Sequence, residues 1–169
     1  IGGCYYERLE AREVAKYLKT FPGAKRRFKE TVINDIVTID DYAHHPTEVK
    51  VTIKAARQKY PNKKIVALLK THTLSRTKEM ADDFVEALNL ADCAYVTDVG
   101  VDRFEEGYDD VDYHVILDKL DNGKYISLEK VDELLQYEDA VLIFMSSKDI
   151  YVIQREYEKR LKEKLGIVE

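Results

Sequence analysis

With two cysteines, three prolines and seven glycines in 169 residues, the chain is poor in the residues that mark many specialised classes. Cys4 and Cys93 lie far apart and form neither a CxxC pair nor a Cys/His ligand spacing, so both read as buried thiols of a reducing cytoplasm. Neither a GxxxxGK[ST] loop nor a GxGxxG loop is present, so nothing in the chain cradles a triphosphate by itself. No apolar run approaches the roughly 18 residues of a membrane span, and no signal-peptide pattern opens the chain. A basic excess is missing too. The 27 Lys and Arg stand against 32 Asp and Glu, a net charge of -5, which argues against a nucleic-acid binder or a polybasic membrane anchor. Internal repeats and low-complexity segments are absent.

What is there suits one compact domain: 45% hydrophobic residues, enough for a core, among 35% charged ones. The chain starts at Ile1 without a methionine, as a piece of a longer protein would. Residues 5–20 place Leu9, Val14, Tyr17 and Leu18 at helical spacing, and Phe21-Pro22-Gly23 stops that helix. Residues 21–25 read as a connector. Phe28 to Ile33 and Ile36 to Tyr42 flank the polar pair Asn34-Asp35 and predict a hairpin. A helix follows over Val49 to Tyr60, then a buried strand at Ile65-Val66-Ala67-Leu68-Leu69. A second helix carries Met80, Phe84, Val85 and Leu88, and Ala94 to Thr97 is a strand. Residues 98–112 form an acidic loop. Val115-Ile116-Leu117 is predicted as a strand, Gly123-Lys124 as a turn, and Leu128, Val131, Leu134 and Leu135 as a third helix. Ala140 to Met145 is the last strand, and the final helix is predicted to start at Ser146, with Asp149 three residues on as in a capping box. Strands alternating with helices predict an α/β, Rossmann-like, mostly parallel sheet with an antiparallel edge hairpin and helices on both faces.

Chemistry-bearing residues gather where strands end and helices begin, the ligand edge of such sheets. The foremost stretch is Asp40-Asp41-Tyr42-Ala43-His44-His45-Pro46-Thr47-Glu48. Pro46 suits the first helical position, which puts His45 near the N-cap and His44 over the crevice. A helix N-terminus there favours an anion. Asp40 and Asp41 can hydrogen-bond a ribose, orient an imidazole or cap the turn. Zinc is disfavoured, because no third and fourth ligands follow at tight spacing. Lys70-Thr71-His72-Thr73-Leu74-Ser75-Arg76-Thr77 follows the next strand, and Arg76 can grip a carboxylate with two prongs. Lys25-Arg26-Arg27-Phe28 can reach a phosphate held by another domain, and Ser146-Ser147-Lys148-Asp149 ends the last strand at the same edge.

These residues resemble a family. DDYAHHPTE (Asp40 to Glu48) is similar to the C-terminal-domain signature of the Mur ligases, specifically those that add L-alanine to UDP-N-acetylmuramate. FPGAKRRF (Phe21 to Phe28) resembles the family's FxGxxRRF hinge, THTLSRT (Thr71 to Thr77) its PHTFSRT segment, and IFMSSKDI (Ile143 to Ile150) its FMGAGDI loop. The chain departs from the family at Lys70-Thr71, where Gln-Pro is usual, and at Ser146-Ser147-Lys148, where Gly-Ala-Gly is usual.

The resemblance implies an ATP-dependent amide ligation through an acyl phosphate in peptidoglycan synthesis, in the cytoplasm, with no nucleic-acid or membrane partner. It implies partner domains in the same protein: an N-terminal domain for the UDP-sugar, and a central P-loop domain that binds most of the ATP and Mg2+. By the same resemblance, residues 1–22 are the remnant of the central domain plus the hinge, and 23–169 are the amino-acid-binding domain, inactive alone. Arg27 and His44 match catalytic positions. Arg27, Asp41, Tyr42 and His45 match the ATP side. His44, His72, Arg76 and Ser147 match the amino-acid side, and no metal ligand is implied. A murein tripeptide ligase of cell-wall recycling, or a non-catalytic ligand-binding relative, are the alternatives.

Overall fold

The computed structural model describes residues 26–101 and 104–167. Two expectations, the helix over residues 5–20 and the connector at 21–25, lie outside them, as does Cys4. The sheet has six strands: β1 (Lys29–Ile33), β2 (Ile36–Asp41), β3 (Lys64–Leu69), β4 (Cys93–Val96), β5 (Gly123–Tyr125) and β6 (Ala140–Met145). They lie in the order β1-β2-β6-β3-β4-β5, with β1 antiparallel to β2 and the other neighbours parallel. This is the expected mostly parallel sheet with an antiparallel edge. Ile33 faces Ile36 across the turn. Asn34 takes a left-handed φ of 52°, which asparagine tolerates better than most residues, so the hairpin closes without the usual glycine.

Period-two alternation splits the core between the two faces. Val37, Ile39, Ile65, Ala67, Leu69, Val141, Ile143 and Met145 point to one side. There they meet Val49, Ile53 and Ala56 of α1 (Pro46–Lys59) and Phe84 and Leu88 of α3 (Ala81–Leu88). Val66, Leu68, Tyr95, Leu142 and Phe144 point to the other. Those meet Val131 and Leu134 of a 3-10 helix (Leu128–Gln136) and Ile153, Tyr157 and Leu161 of α5 (Tyr151–Leu165). Strands buried on both faces need apolar residues at every position, which is why β3 and β6 are continuous apolar runs.

Four local expectations are corrected. Val115-Ile116-Leu117 is not a strand but part of a short helix, α4 (His114–Leu117). Only Ile116 is fully buried, and the Asp112 carboxylate accepts from His114 N–H at 2.8 Å, which starts a turn. The fifth strand is Gly123–Tyr125, predicted as a turn; it pairs with β4 through Ala94 and Gly123. A Cβ on Gly123 would lie 2.7 Å from Leu120 Cβ, so only glycine lets the chain enter the sheet there. The second helix, α3, starts at Ala81 with Met80 just outside it, and a separate short helix, α2 (Leu74–Glu79), precedes it. The last helix starts at Tyr151 without a side-chain cap, because Ser146 Oγ accepts from Lys148 N–H at 3.0 Å inside the loop instead.

Among the described residues, no helix is long and apolar enough to cross a membrane.

Candidate active site

Parallel pairing brings four strand ends level. Asp41 of β2 and Leu69 of β3 both stand opposite Met145 of β6, and Leu69 stands opposite Val96 of β4. One residue further the row continues through backbone bonds: Ser146 N–H to Asp41 C=O, Lys70 N–H to Met145 C=O and Thr97 N–H to Leu69 C=O. The loops after β2, β6, β3 and β4 therefore open side by side, with the β6 loop between the two histidine-bearing segments.

The β2 loop is built around carboxylates. Asp41 is buried; its Oδ1 accepts from Ala43 N–H at 2.8 Å and Thr52 Oγ1 at 3.3 Å, and its Oδ2 from Phe28 N–H at 2.7 Å. It holds the turn and the Arg26–Phe28 segment together. At the start of α1, Pro46 occupies the first turn and His45 is the N-cap, its Nδ1 accepting from Thr47 N–H at 3.3 Å. Glu48 reaches back so that one oxygen accepts from both His44 N–H (3.1 Å) and His45 N–H (3.2 Å). The anion expected at this helix start is thus supplied by the chain itself.

His44 Nδ1 lies 3.0 Å from the Tyr42 carbonyl and 3.3 Å from Glu48. Both are acceptors, which suits the tautomer with its hydrogen on Nδ1 and an acceptor at Nε2. The ring stands edge-on to Tyr42, with centroids 5.4 Å apart. Arg27, half exposed, lies 3.9 Å from Glu48 and over the Tyr42 ring at 5.6 Å.

Burial pushes the Glu48 carboxyl up, but the two amides, with His44 and Arg27, outweigh it and hold the group below its ordinary value. A depressed folded pKa contributes stability above the unfolded value that is lost as acid protonates the group. The melting temperature should therefore fall as pH drops through about 4, and part of that fall should vanish in Glu48→Gln. A pH–melting curve with the same slope in both proteins would contradict this.

The β3 side is organised by a parallel bridge between His72 and Gly100. A Cβ on Gly100 would press within 3.3 Å of the His72 ring and of the Thr71 carbonyl, so glycine permits this approach. Thr73 takes a φ of 72°, a strained setting for a β-branched residue costing on the order of 1–3 kcal/mol. It is held by its N–H to Gly100 C=O (3.0 Å) and by Thr77, whose N–H and hydroxyl both donate to Thr73 C=O. The Glu105 carboxylate accepts from Ser75 N–H at 2.9 Å, tying the acidic loop to α2. Arg76, partly exposed, has no side-chain hydrogen bond or ion pair among the described residues. Ser147 stands half-buried on the β6 loop, whose Asp149 pairs with Lys70 at 2.7 Å. That lysine is what holds the Asp149 carboxyl below its ordinary value, despite some burial.

The structure thus gathers Arg27, Asp41, Tyr42, His44 and His45 at the β2 end. His72 and Arg76 lie beyond the β6 loop, which carries Ser147. The sequence did not single out Glu48 as a cap, Gly100, or the Lys70–Asp149 pair; opposite charges at the ends of two strands were the only signal for the last. Among the described residues, no group of three or more His, Cys, Asp or Glu is placed to hold a metal ion.

A family model for the Mur ligase glutamate ligase domain matches residues 26–153. The UDP-N-acetylmuramate–L-alanine ligase of Streptococcus thermophilus is 43% identical over 162 residues, 95% of this chain and 37% of that protein. The ligase of the same name from Ligilactobacillus salivarius is 44% identical over 158 residues, 93% of this chain and 35% of that protein. The crystal structure of the UDP-N-acetylmuramate-alanine ligase of Thermotoga maritima aligns with a TM-score of 0.75 at 25% identity, over 97% of this chain and 36% of that one. The chain spans about a third of the length of the relatives it matches.

Proposed function

Since this chain belongs to the Mur ligase family, we propose that it is the amino-acid-binding domain of an ATP-dependent ligase that joins L-alanine to UDP-N-acetylmuramate. The observation that carries the proposal is the docking of Arg27 onto the Tyr42–Glu48 turn, in a chain that matches such ligases over 95% of its length. Residues 23–169 form this domain, and residues 1–22 belong to the hinge and the end of the central domain. A UDP-linked substrate and ATP assign the reaction to the cytoplasm.

In the proposed reaction a muramate carboxylate oxygen attacks the γ-phosphorus of ATP, the bond to the β-phosphate oxygen breaks and ADP leaves. The alanine amine then attacks the acyl carbon, phosphate departs, and the ammonium group's surplus protons pass to base. Charge spreads over the transferring phosphoryl oxygens, so a fixed cation there lowers the barrier. Arg27 is that cation on this domain. Tyr42 offers a ring face and His45 a polar edge to the nucleotide, while Asp41 acts through the backbone it fixes. His44 Nε2 takes a proton from the amine. Arg76 grips the alanine carboxylate beside His72, and Ser147 closes the far side. Among the described residues no acidic group is placed to hold Mg2+, which is proposed to be held with ATP by the central domain.

The test is phosphate release by the complete protein given ATP and UDP-N-acetylmuramate, with L-alanine, glycine, L-serine or the murein tripeptide as acceptor. Turnover with L-alanine above the others is expected. Faster turnover with tripeptide would move the chain to the recycling ligases, and no turnover with any acceptor would favour a non-catalytic relative.

A further inference from the structure

Arg26 and Arg27 are neighbours in sequence, yet the structure divides them. The Arg27 side chain is 51% exposed, against 24% for Arg26. Every nitrogen of the Arg26 guanidinium donates: Nε to both Asp40 oxygens at 3.1 and 3.2 Å, Nη1 to the Lys148 carbonyl at 2.8 Å and Nη2 to the Ser146 carbonyl at 3.0 Å. It also lies 5.8 Å from the Tyr42 ring and 5.4 Å from the Tyr151 ring. Its backbone is pinned as well, since Tyr42 N–H donates to Arg26 C=O at 2.7 Å.

On the other side of Arg27, Phe28 N–H donates to Asp41 at 2.7 Å. Arg26 and Phe28 both take left-handed backbone angles, φ 56° and 49°, which residues with a Cβ hold only when their surroundings fix them. Adjacent carboxylates, Asp40 and Asp41, thus hold the residues on either side of Arg27. Consecutive strand residues point to opposite faces, so the two grips come from opposite sides of β2.

We infer that Arg26 is a positioning residue: it latches the hinge to the β6 loop and so fixes where Arg27 meets the phosphate. The inference rests on the ligase reading of Arg27. A planar fork suits this task, because one guanidinium spans a carboxylate and two carbonyls on different elements. The latch also makes the Ser146–Asp149 loop and Arg27 move together, coupling the amino-acid side of the site to the phosphate side.

A double-mutant cycle in the complete ligase tests this. Arg26→Met should lower kcat by about 30-fold in the otherwise unaltered enzyme, as expected for a displaced catalytic group. In an Arg27→Ala background the same change should cost about twofold or less, because the group it positions is gone. Arg26→Lys, which keeps the charge but not the fork, should fall between, and it replaces Met in the cycle if Arg26→Met does not fold. Equal losses in both backgrounds would mean Arg26 only stabilises the fold, and the inference would be overturned. If Arg27→Ala leaves turnover unchanged, the assigned role of Arg27 itself is wrong. If Arg27→Ala is severe and Arg26→Met is silent, only the present inference fails.

Discussion

Replacing Asp41 with alanine should destabilise this chain by about 3–5 kcal/mol, because it strands buried donors worth roughly 1–3 kcal/mol each. Phe28 N–H and Ala43 N–H both lose the Asp41 oxygens they donate to, and so does the Thr52 hydroxyl. Domains of this kind are stable by only about 5–15 kcal/mol, so the loss is a large share. Urea unfolding measures it directly. Asp41→Asn keeps one acceptor oxygen and should lose about half as much. A loss below about 1 kcal/mol for the alanine variant would show that water replaces the carboxylate. Activity should fall with stability, since the hinge bond to Phe28 disappears together with the turn.

Arg27→Ala should leave the fold almost intact and strike turnover instead. The side chain is half exposed and its ion pair with Glu48 is long, at 3.9 Å, a contact worth at most about 1 kcal/mol to stability. Removing a fixed cation from a phosphoryl transfer costs about 10^2–10^3-fold in kcat. The KM for L-alanine should change by about twofold at most, since a group that acts in the transition state leaves ground-state binding alone. Arg27→Lys should recover only part of the rate, because a point charge cannot bridge two phosphate oxygens. A kcat within threefold of the unaltered enzyme would remove Arg27 from the reaction.

The contrast between these two variants shows what could be read in advance. The turn itself was legible, because proline directly after a histidine is a local signal of a helix start, whereas the cap that Glu48 adds was not read. The long apolar runs of β3 and β6 were legible for the same reason: double-sided burial leaves no polar position to blur the pattern. Gly123–Tyr125 was not, since an edge strand of three residues buries little, and its glycine answers to Leu120 in space. Val115 to Leu117 misled because three apolar residues fit either period. Arg26 was hidden for a deeper reason. Its carbonyl partners lie 120 and 122 residues away, and no local pattern distinguishes the arginine that is enclosed from the one left half exposed.

The place of β6 in the sheet bears on how the domain assembles. The strand made last stands in the third position, between β2 and β3. Until residues 140–145 emerge, β1-β2 and β3-β4-β5 are two separate ribbons, each with an open hydrogen-bonding edge lined by apolar side chains. Such edges invite pairing between chains, and contacts that span most of a sequence form slowly. The ligand edge is therefore incomplete until β6 and the loop after it are in place. A chain stopped before Ala140 should aggregate rather than linger as a soluble half-domain.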